Sequence, residues 1–312
     1  MRMPDISIVS ITLPLLLAGH GFRKKSLSTS GALTALVVGF LMFVGSLKTW
    51  GISLILFYLI GSRATKYGKQ KKRTLEAGYH DAGYRSGWQV LSNSFSALVA
   101  CSAWNILFDP QGVHASIFRL LTGDAVRIPS SIVHPYSSEW CPVSENIGQG
   151  WSRTLVFAAL GHFACCLGDT LASEIGILAP SPPRLITTWK PVPPGTNGGM
   201  SVNGTIASLV GGVIMGLVAS ICLVLENPTC RQTWDVVVGD AVFWGAIAGA
   251  YGSAIDSFLG ATIQATRYDD ERKVVTEDAA QGKTINGWNV LSNNQVNVVS
   301  SLCCAAFLGL YA

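Results

Sequence analysis

Residues 205–225 read TIASLVGGVIMGLVASICLVL, a run without one charged side chain. A helix rises about 1.5 Å per residue, so a run of this length covers a hydrocarbon layer about 30 Å thick. The rest of the chain repeats the pattern. Charged residues make up 13% of the 312 positions and hydrophobic residues 49%, with a mean hydropathy of +0.39. A soluble chain carries about 25% charged residues. Apolar segments recur at 6–22, 31–47, 49–61, 90–108, 151–167, 205–225, 236–251 and 290–310. The expected fold is an all-α polytopic membrane protein of about eight transmembrane helices, forming a single membrane domain over 1–312. Pro14 is expected to kink the first span, which membranes tolerate.

Charge placement predicts orientation. The net charge is only +4, and its clustering argues for topology signals and against a nucleic-acid partner. Arg23, Lys24 and Lys25 follow the first apolar segment, so it reads as a retained anchor, not a cleaved signal. Six basic residues fall between Arg63 and Arg73. With a two-span hairpin between them, the two basic clusters share a side, the cytosol by the positive-inside rule. Both termini are then lumenal, as is the loop 109–150, where Asp109, Asp124, Glu139 and Glu145 outnumber Arg119 and Arg127. The loops 168–204 and 252–288 are cytosolic. Cys141 and Cys230 are the only cysteines on the lumenal side, where a disulfide can form. The remaining cysteines have no CxxC spacing and no histidine partners in a zinc pattern, and they read as small packing residues. The expected address is the endoplasmic reticulum or another endomembrane.

The chain contains an internal repeat. Gly87-Trp-Gln-Val-Leu-Ser-Asn93 returns as Gly287-Trp-Asn-Val-Leu-Ser-Asn293, with six of seven positions identical. Gly168-Asp-Thr-Leu-Ala-Ser-Glu-Ile-Gly176 and Gly252-Ser-Ala-Ile-Asp-Ser-Phe-Leu-Gly260 each place an aspartate before a hydroxyl residue at a cytosolic span end. The order predicts a parallel-type repeat about an axis along the membrane normal. It gathers Asn93, Asn293, Asp169 and Asp256 around one centre.

Polar groups in apolar segments are costly, on the order of 3 kcal/mol for a charge, and are functional candidates by default. Asp169, Glu174 and Asp256 meet that description. Hard oxygen ligands near a cytosolic face suit Mg²⁺, which takes one or two carboxylates plus substrate phosphates. Asn93 and Asn293 are placed to orient phosphate oxygens. Arg184 and Lys190 offer positive charge in the next loop. Gly195, Asn197, Gly198 and Gly199 form a flexible segment whose backbone N–H groups can wrap an anion. Taken alone the loop reads better as a plain Pro/Gly connector, and the carboxylates beside it are what draw attention to it. Asn294, Asn297 and Ser301 share a helical face, which fits interhelical hydrogen bonding as well as a site.

Five strings carry a resemblance. They are Lys24-Lys-Ser-Leu27 with Ser30-Gly-Ala-Leu33, the 168–176 motif, Pro183-Arg-Leu-Ile-Thr-Thr-Trp-Lys190, Pro194-Gly-Thr-Asn-Gly-Gly199, and residues 252–264. Together they resemble the transmembrane protein 19 family, whose plant branch is similar to phytyl-phosphate kinase. The resemblance implies phosphoryl transfer from a nucleoside triphosphate, CTP before ATP, to a prenyl monophosphate held in the membrane. In that picture Asp169 and Asp256 hold metal, Glu174 assists or acts as base, and Arg184 and Lys190 neutralise nucleotide phosphates. Two other readings use the same residues. An ion-coupled carrier would place its acidic groups at mid-bilayer. A non-catalytic scaffold would tolerate their loss. The sequence is silent on oligomeric state.

Overall fold

The computed structural model of the chain describes residues 6–75, 83–123, 125–276 and 282–312. Asp124, counted above in the lumenal loop, lies outside them, as do residues 277–281 of the second motif loop. The first half of the chain forms α1 (Ile8–Arg23), α2 (Thr29–Val44), α3 (Thr49–Lys66), the single turn α4 (Lys69–Lys72), α5 (Gly87–Ser92), α6 (Phe95–Phe108) and α7 (Val113–Thr122). The second half forms α8 (Trp151–Gly176), strands β1 (Arg184–Leu185) and β2 (Gly199–Met200), α9 (Val202–Glu226), the short α10 (Pro228–Gln232) and α11 (Trp234–Ile263). Strands β3 (Thr266–Asp269), β4 (Val274–Thr276) and β5 (Lys283–Asn286) precede α12 (Asn293–Tyr311). Helices α8, α9, α11 and α12 are long and apolar enough to cross a membrane, whereas α1, α2 and α6 are apolar but shorter.

The all-α expectation needs amending. Two small antiparallel sheets are present, β1–β2 and a three-stranded sheet in the order β4-β3-β5. Thr266-Arg-Tyr-Asp269 and Val274-Val-Thr276 flank a charged turn at 270–273, a hairpin pattern of β-favouring residues around polar ones. Two helices also outrun their expected boundaries. α8 continues to Gly176 and α11 to Ile263, so Asp169, Glu174 and Asp256 sit inside helices and not in the loops 168–204 and 252–288. Hydropathy stops at a charge, but a helix continues until its backbone is interrupted, here near Pro180 and after Gln264. The segment 90–108 is two helices. The break falls at Asn93 and Ser94, where Ser94 Oγ donates back to the Val90 carbonyl at 2.8 Å.

The two near-identical strings of the repeat adopt different local structures. Gly87–Ser92 is helical, capped by Ser86 and packed on α2. Residues 287–292 are not helical, and Ser292 caps α12 instead. Gly287 turns at φ +71°, and the following segment is tied to the end of α11, with Trp288 N–H donating to the Thr262 carbonyl at 2.9 Å. The neighbours override the shared sequence.

α8 is buried along most of its length, with Phe157, Leu160, Phe163, Ala164 and Leu167 in the core. α9 and α11 meet backbone to backbone. A Cβ added at Gly212 would lie 2.1 Å from the Gly245 carbonyl oxygen, and one at Gly249 would lie 2.4 Å from that of Ser208. This is the close approach that small residues permit between apolar helices.

The helical runs alternate between two ends. At one end, Ser10 Oγ donates to the Phe43 carbonyl (2.8 Å), Ser46 N–H to Asn105 Oδ1 (3.0 Å), and Lys48 N–H to Glu226 Oε2 (2.7 Å). Cys141 and Cys230 form a disulfide there, joining the loop 109–150 to α10. Trp104, Phe108, Tyr136 and Trp140 stack around it with ring centroids 5.1–6.3 Å apart. At the other end lie the β-sheets, α4, α5 and the acidic motifs.

Candidate functional site

A cavity of about 1200 Å³ opens at the end opposite the disulfide. Its walls differ in chemistry. One limb runs between α1, α2 and α3 and is apolar, with Pro14, Ala18, Val38, Phe43, Leu54 and Phe57. The other limb is polar and holds Asp169, Glu174, Asp256, Asn93, Asn293 and Asn297. The cavity therefore joins a greasy slot to a polar chamber without a break.

Asp169 reaches the chamber from α8 and Asp256 from α11, each seven residues from the C-terminal end of its helix. Ser300 Oγ donates to Asp256 Oδ2 at 3.3 Å. Asn297 links the chamber. One carboxamide atom lies 3.4 Å from Asn93 Oδ1. Turned over, its nitrogen donates to Asp256 Oδ2 at 3.2 Å and to the Asn293 carbonyl at 3.1 Å, which satisfies both ends of the amide. Among the described residues, Asp169 accepts no hydrogen bond, and neither aspartate has an ion-pair partner.

Glu174 lines the same cavity but is committed elsewhere. Its Oε2 lies 2.5 Å from Lys72 Nζ, and Lys72, only 1% exposed, also donates to the Ala64 carbonyl at 3.0 Å. A buried ammonium needs such partners to stay charged. Among the described residues no three His, Cys, Asp or Glu side chains are grouped to hold a metal by themselves. The acidic trio of the sequence reading is thus a pair of open aspartates and one paired glutamate. Two carboxylates aimed into one chamber, one of them without a donor, still fit a Mg²⁺ ion that takes its remaining ligands from phosphate and water.

Other expected residues divide. Gly195, Asn197, Gly198 and Gly199 line the cavity, but the segment is anchored. Asn197 N–H donates to Thr266 Oγ1 at 3.0 Å, and its Nδ2 donates to the Ala265 carbonyl at 3.2 Å. Gly198 has φ +77°, and a Cβ there would lie 2.5 Å from the Ser257 carbonyl oxygen. These glycines let the loop lie against α11 just beyond Asp256. Arg184 and Lys190 do not join the site. Both are exposed and absent from the cavity wall, and Arg184 Nη1 caps the Trp189 carbonyl at 2.9 Å.

The cations that do line the cavity are Lys72, Arg85, Arg267 and Arg272. Arg85 is clipped to the start of α2, its carbonyl accepting from Ser28 N–H (2.9 Å) and its N–H donating to Ser26 (3.0 Å). Its guanidinium lies over the Tyr58 ring and donates to Ser62 Oγ at 2.7 Å. Burial pulls the Arg85 pKa below its ordinary value, while Tyr58 and then Glu174 oppose that shift. The basic run 63–73 had been read only as a topology signal, which hid Lys72. The β-hairpin pattern around 266–276 was the available clue to Arg267.

The chain belongs to the family of integral membrane proteins designated DUF92, whose match covers residues 12–305. It is similar to Protein PGR of Arabidopsis thaliana, 34% identical over 302 residues, 95% of this chain and 92% of that one. An uncharacterized membrane protein of Methanocaldococcus jannaschii is 23% identical over 294 residues, 94% of this chain and 89% of the relative. Protein VTE6, chloroplastic, of Arabidopsis thaliana is 24% identical over 204 residues, 65% of this chain and 50% of the relative. No solved structure matches the chain.

Proposed function

We propose that this membrane protein is a lipid-monophosphate kinase that transfers a phosphoryl group from a nucleoside triphosphate to a prenyl monophosphate. The observation that carries the reading is the two-sided cavity, in which an apolar limb between α1, α2 and α3 runs into a chamber holding Asp169 and Asp256. A prenyl chain in the first limb sets its phosphate in the second. The motif resemblance to the transmembrane protein 19 family and to plant phytyl-phosphate kinase supports the same substrate class.

Phosphoryl transfer depends on positioning and charge neutralisation more than on a strong nucleophile. An oxygen of the lipid phosphate attacks the γ-phosphorus. The bond from γ-phosphorus to its bridging oxygen breaks, and the nucleoside diphosphate leaves. Asp169 and Asp256 would hold a magnesium ion, which would supply positive charge to offset that of the phosphates. Asn93, Asn293 and Asn297 orient phosphate oxygens at the chamber floor. Arg85 meets the lipid phosphate from the mouth of the apolar limb. Glu174 keeps Lys72 in place and is not assigned to metal.

The topology belongs to the same reading. In this reading α1, α2, α3, α5 with α6, α8, α9, α11 and α12 make eight runs across the bilayer, the disulfide end faces an oxidising lumen, and the basic α3–α4 end faces the cytosol with both motif loops. An endoplasmic-reticulum or other endomembrane address fits that polarity.

One observation favours a second reading. Asp169 and Asp256 lie seven residues inside their helices, about 10 Å from the helix ends. Acidic groups at such depth also suit an ion-coupled carrier. The test is transfer of label from γ-labelled CTP or ATP to a panel of prenyl monophosphates, with Mg²⁺ and protein in nanodiscs. Label in a lipid diphosphate supports the kinase. No transfer by folded protein, together with solute flux in proteoliposomes, moves the assignment to the carrier.

A further inference from the structure

The phosphate-binding cations expected from the sequence, Arg184 and Lys190, are outside the cavity, which leaves its anion site to be found elsewhere. Arg267 sits on β3, the central strand of the three-stranded sheet, opposite Thr276 on one side and Thr284 on the other. It lines the cavity, and among the described residues it has no ion-pair partner. A half-buried guanidinium without a counter-charge is unusual beside a chamber with two carboxylates, because pairing them would relieve both. The fold keeps them apart. β3 follows directly from the end of α11, its neighbour β5 is tied to that helix by Asn286 Nδ2 donating to the Ala261 carbonyl at 3.0 Å, and Thr266 Oγ1 of β3 accepts from Asn197 N–H of the 195–199 segment at 3.0 Å. Along α11, Asp256 and Ile263 are separated by about 10 Å.

We infer that the β3–β5 sheet is the nucleotide-binding element of the cavity, with Arg267 taking the polyphosphate of a nucleoside triphosphate whose metal-bound end reaches Asp169 and Asp256. The inference rests on the kinase reading above and deepens it. A single phosphate brings no cation to the aspartates, and a bare cation has no use for the arginine. A metal-bound polyphosphate carries a cation for the aspartates and anionic oxygens for the guanidinium, which binds them as a two-pronged donor. The Asn197 latch gives the Gly195–Gly199 segment its role here, holding the sheet over the chamber instead of wrapping phosphate itself.

Calorimetric titration of the full chain in nanodiscs tests this directly, using inorganic tripolyphosphate with Mg²⁺ as the probe and CTP and ATP beside it. Wild-type protein is expected to bind all three. Arg267→Gln should weaken each by about ten-fold or more, the scale of a lost charge-assisted contact, with an unchanged melting temperature. Arg267→Lys should recover part of the loss, and Arg184→Ala should bind as wild type. Equal binding by Arg267→Gln, an equal loss in Arg184→Ala, or failure of wild-type protein to bind tripolyphosphate overturns the inference. If Arg267→Gln does not fold, Arg267→Lys carries the test, and its unaltered affinity for all three probes overturns the inference. The two claims fail separately. Lipid phosphorylation whose nucleotide KM is indifferent to Arg267 leaves the kinase standing without this site. Tripolyphosphate binding through Arg267 without lipid phosphorylation leaves the site without the kinase.

Discussion

The same helices build both ends of the molecule, and the ends are opposites. At the disulfide end many polar groups are spent on structure, although the indole N–H groups of Trp50 and Trp140 are buried without a partner. Trp104 Nε1 donates to Ser152 Oγ, Ser152 to the Pro142 carbonyl, and Asn227 to the Trp140 carbonyl, at 2.9, 2.7 and 2.9 Å. At the carboxylate end, Asp169, Asp256 and Arg267 line the cavity, and none of the three has an ion-pair partner among the described residues. Unspent charge costs stability and is found where a ligand completes it. The contrast separates scaffold from chemistry within one bundle.

The sharpest way to break that division is to neutralise the open pair. Asp169→Asn with Asp256→Asn should reduce lipid-phosphate transfer by about a thousand-fold or more, the scale of removing preorganised charge stabilisation. The melting temperature should hold or rise, since two carboxylates without counter-charges are removed. Transfer assays beside thermal melts check both halves. The disulfide end should respond in reverse. Trp104→Ala should cost about 3–5 kcal/mol of stability, and removal of the Cys141–Cys230 bridge about 2–5 kcal/mol. Either change should leave the KM for lipid and nucleotide as in wild type at temperatures where the protein is folded.

Lys72 sharpens the comparison, because it is a structural device inside the functional end. Lys72→Met leaves Glu174 without its counter-charge and should cost about 3 kcal/mol. The added change Glu174→Gln should recover most of it, with transfer largely restored, as read from a double-mutant cycle. Recovery of fold without transfer would return Glu174 to the chemistry. The smallest effect belongs to His114 of α7, at the disulfide end. Burial lowers its pKa, against the opposing pull of Asp109. The folded form therefore holds the neutral ring, and the unfolded chain binds the extra proton. That contribution is complete above about pH 6.5 and fades as the pH falls below it. Melting temperatures should drop between pH 7.5 and 5.5, and His114→Gln should flatten the slope.

Much of this was legible in the sequence. The run 205–225 announced α9, and the Asp-hydroxyl motifs led to Asp169 and Asp256. Three things were hidden. Hydropathy ends a segment at a charge, so α8 and α11 read short and their aspartates read as loop residues. The near-identical strings at 87–93 and 287–293 fold differently because one lies on α2 and the other on the end of α11. Cations were misassigned because exposure cannot be read from residue type. Arg184 points away, while Lys72 is drawn inward by Glu174, a partner 102 positions away.

The most direct test of the division between the ends is Mn²⁺ binding, followed by electron paramagnetic resonance on protein in nanodiscs with CTP present. The account predicts a bound-ion signal in wild type that is lost in Asp169→Asn/Asp256→Asn and kept in Cys141→Ser/Cys230→Ser. Equal Mn²⁺ binding by the aspartate variant would contradict it.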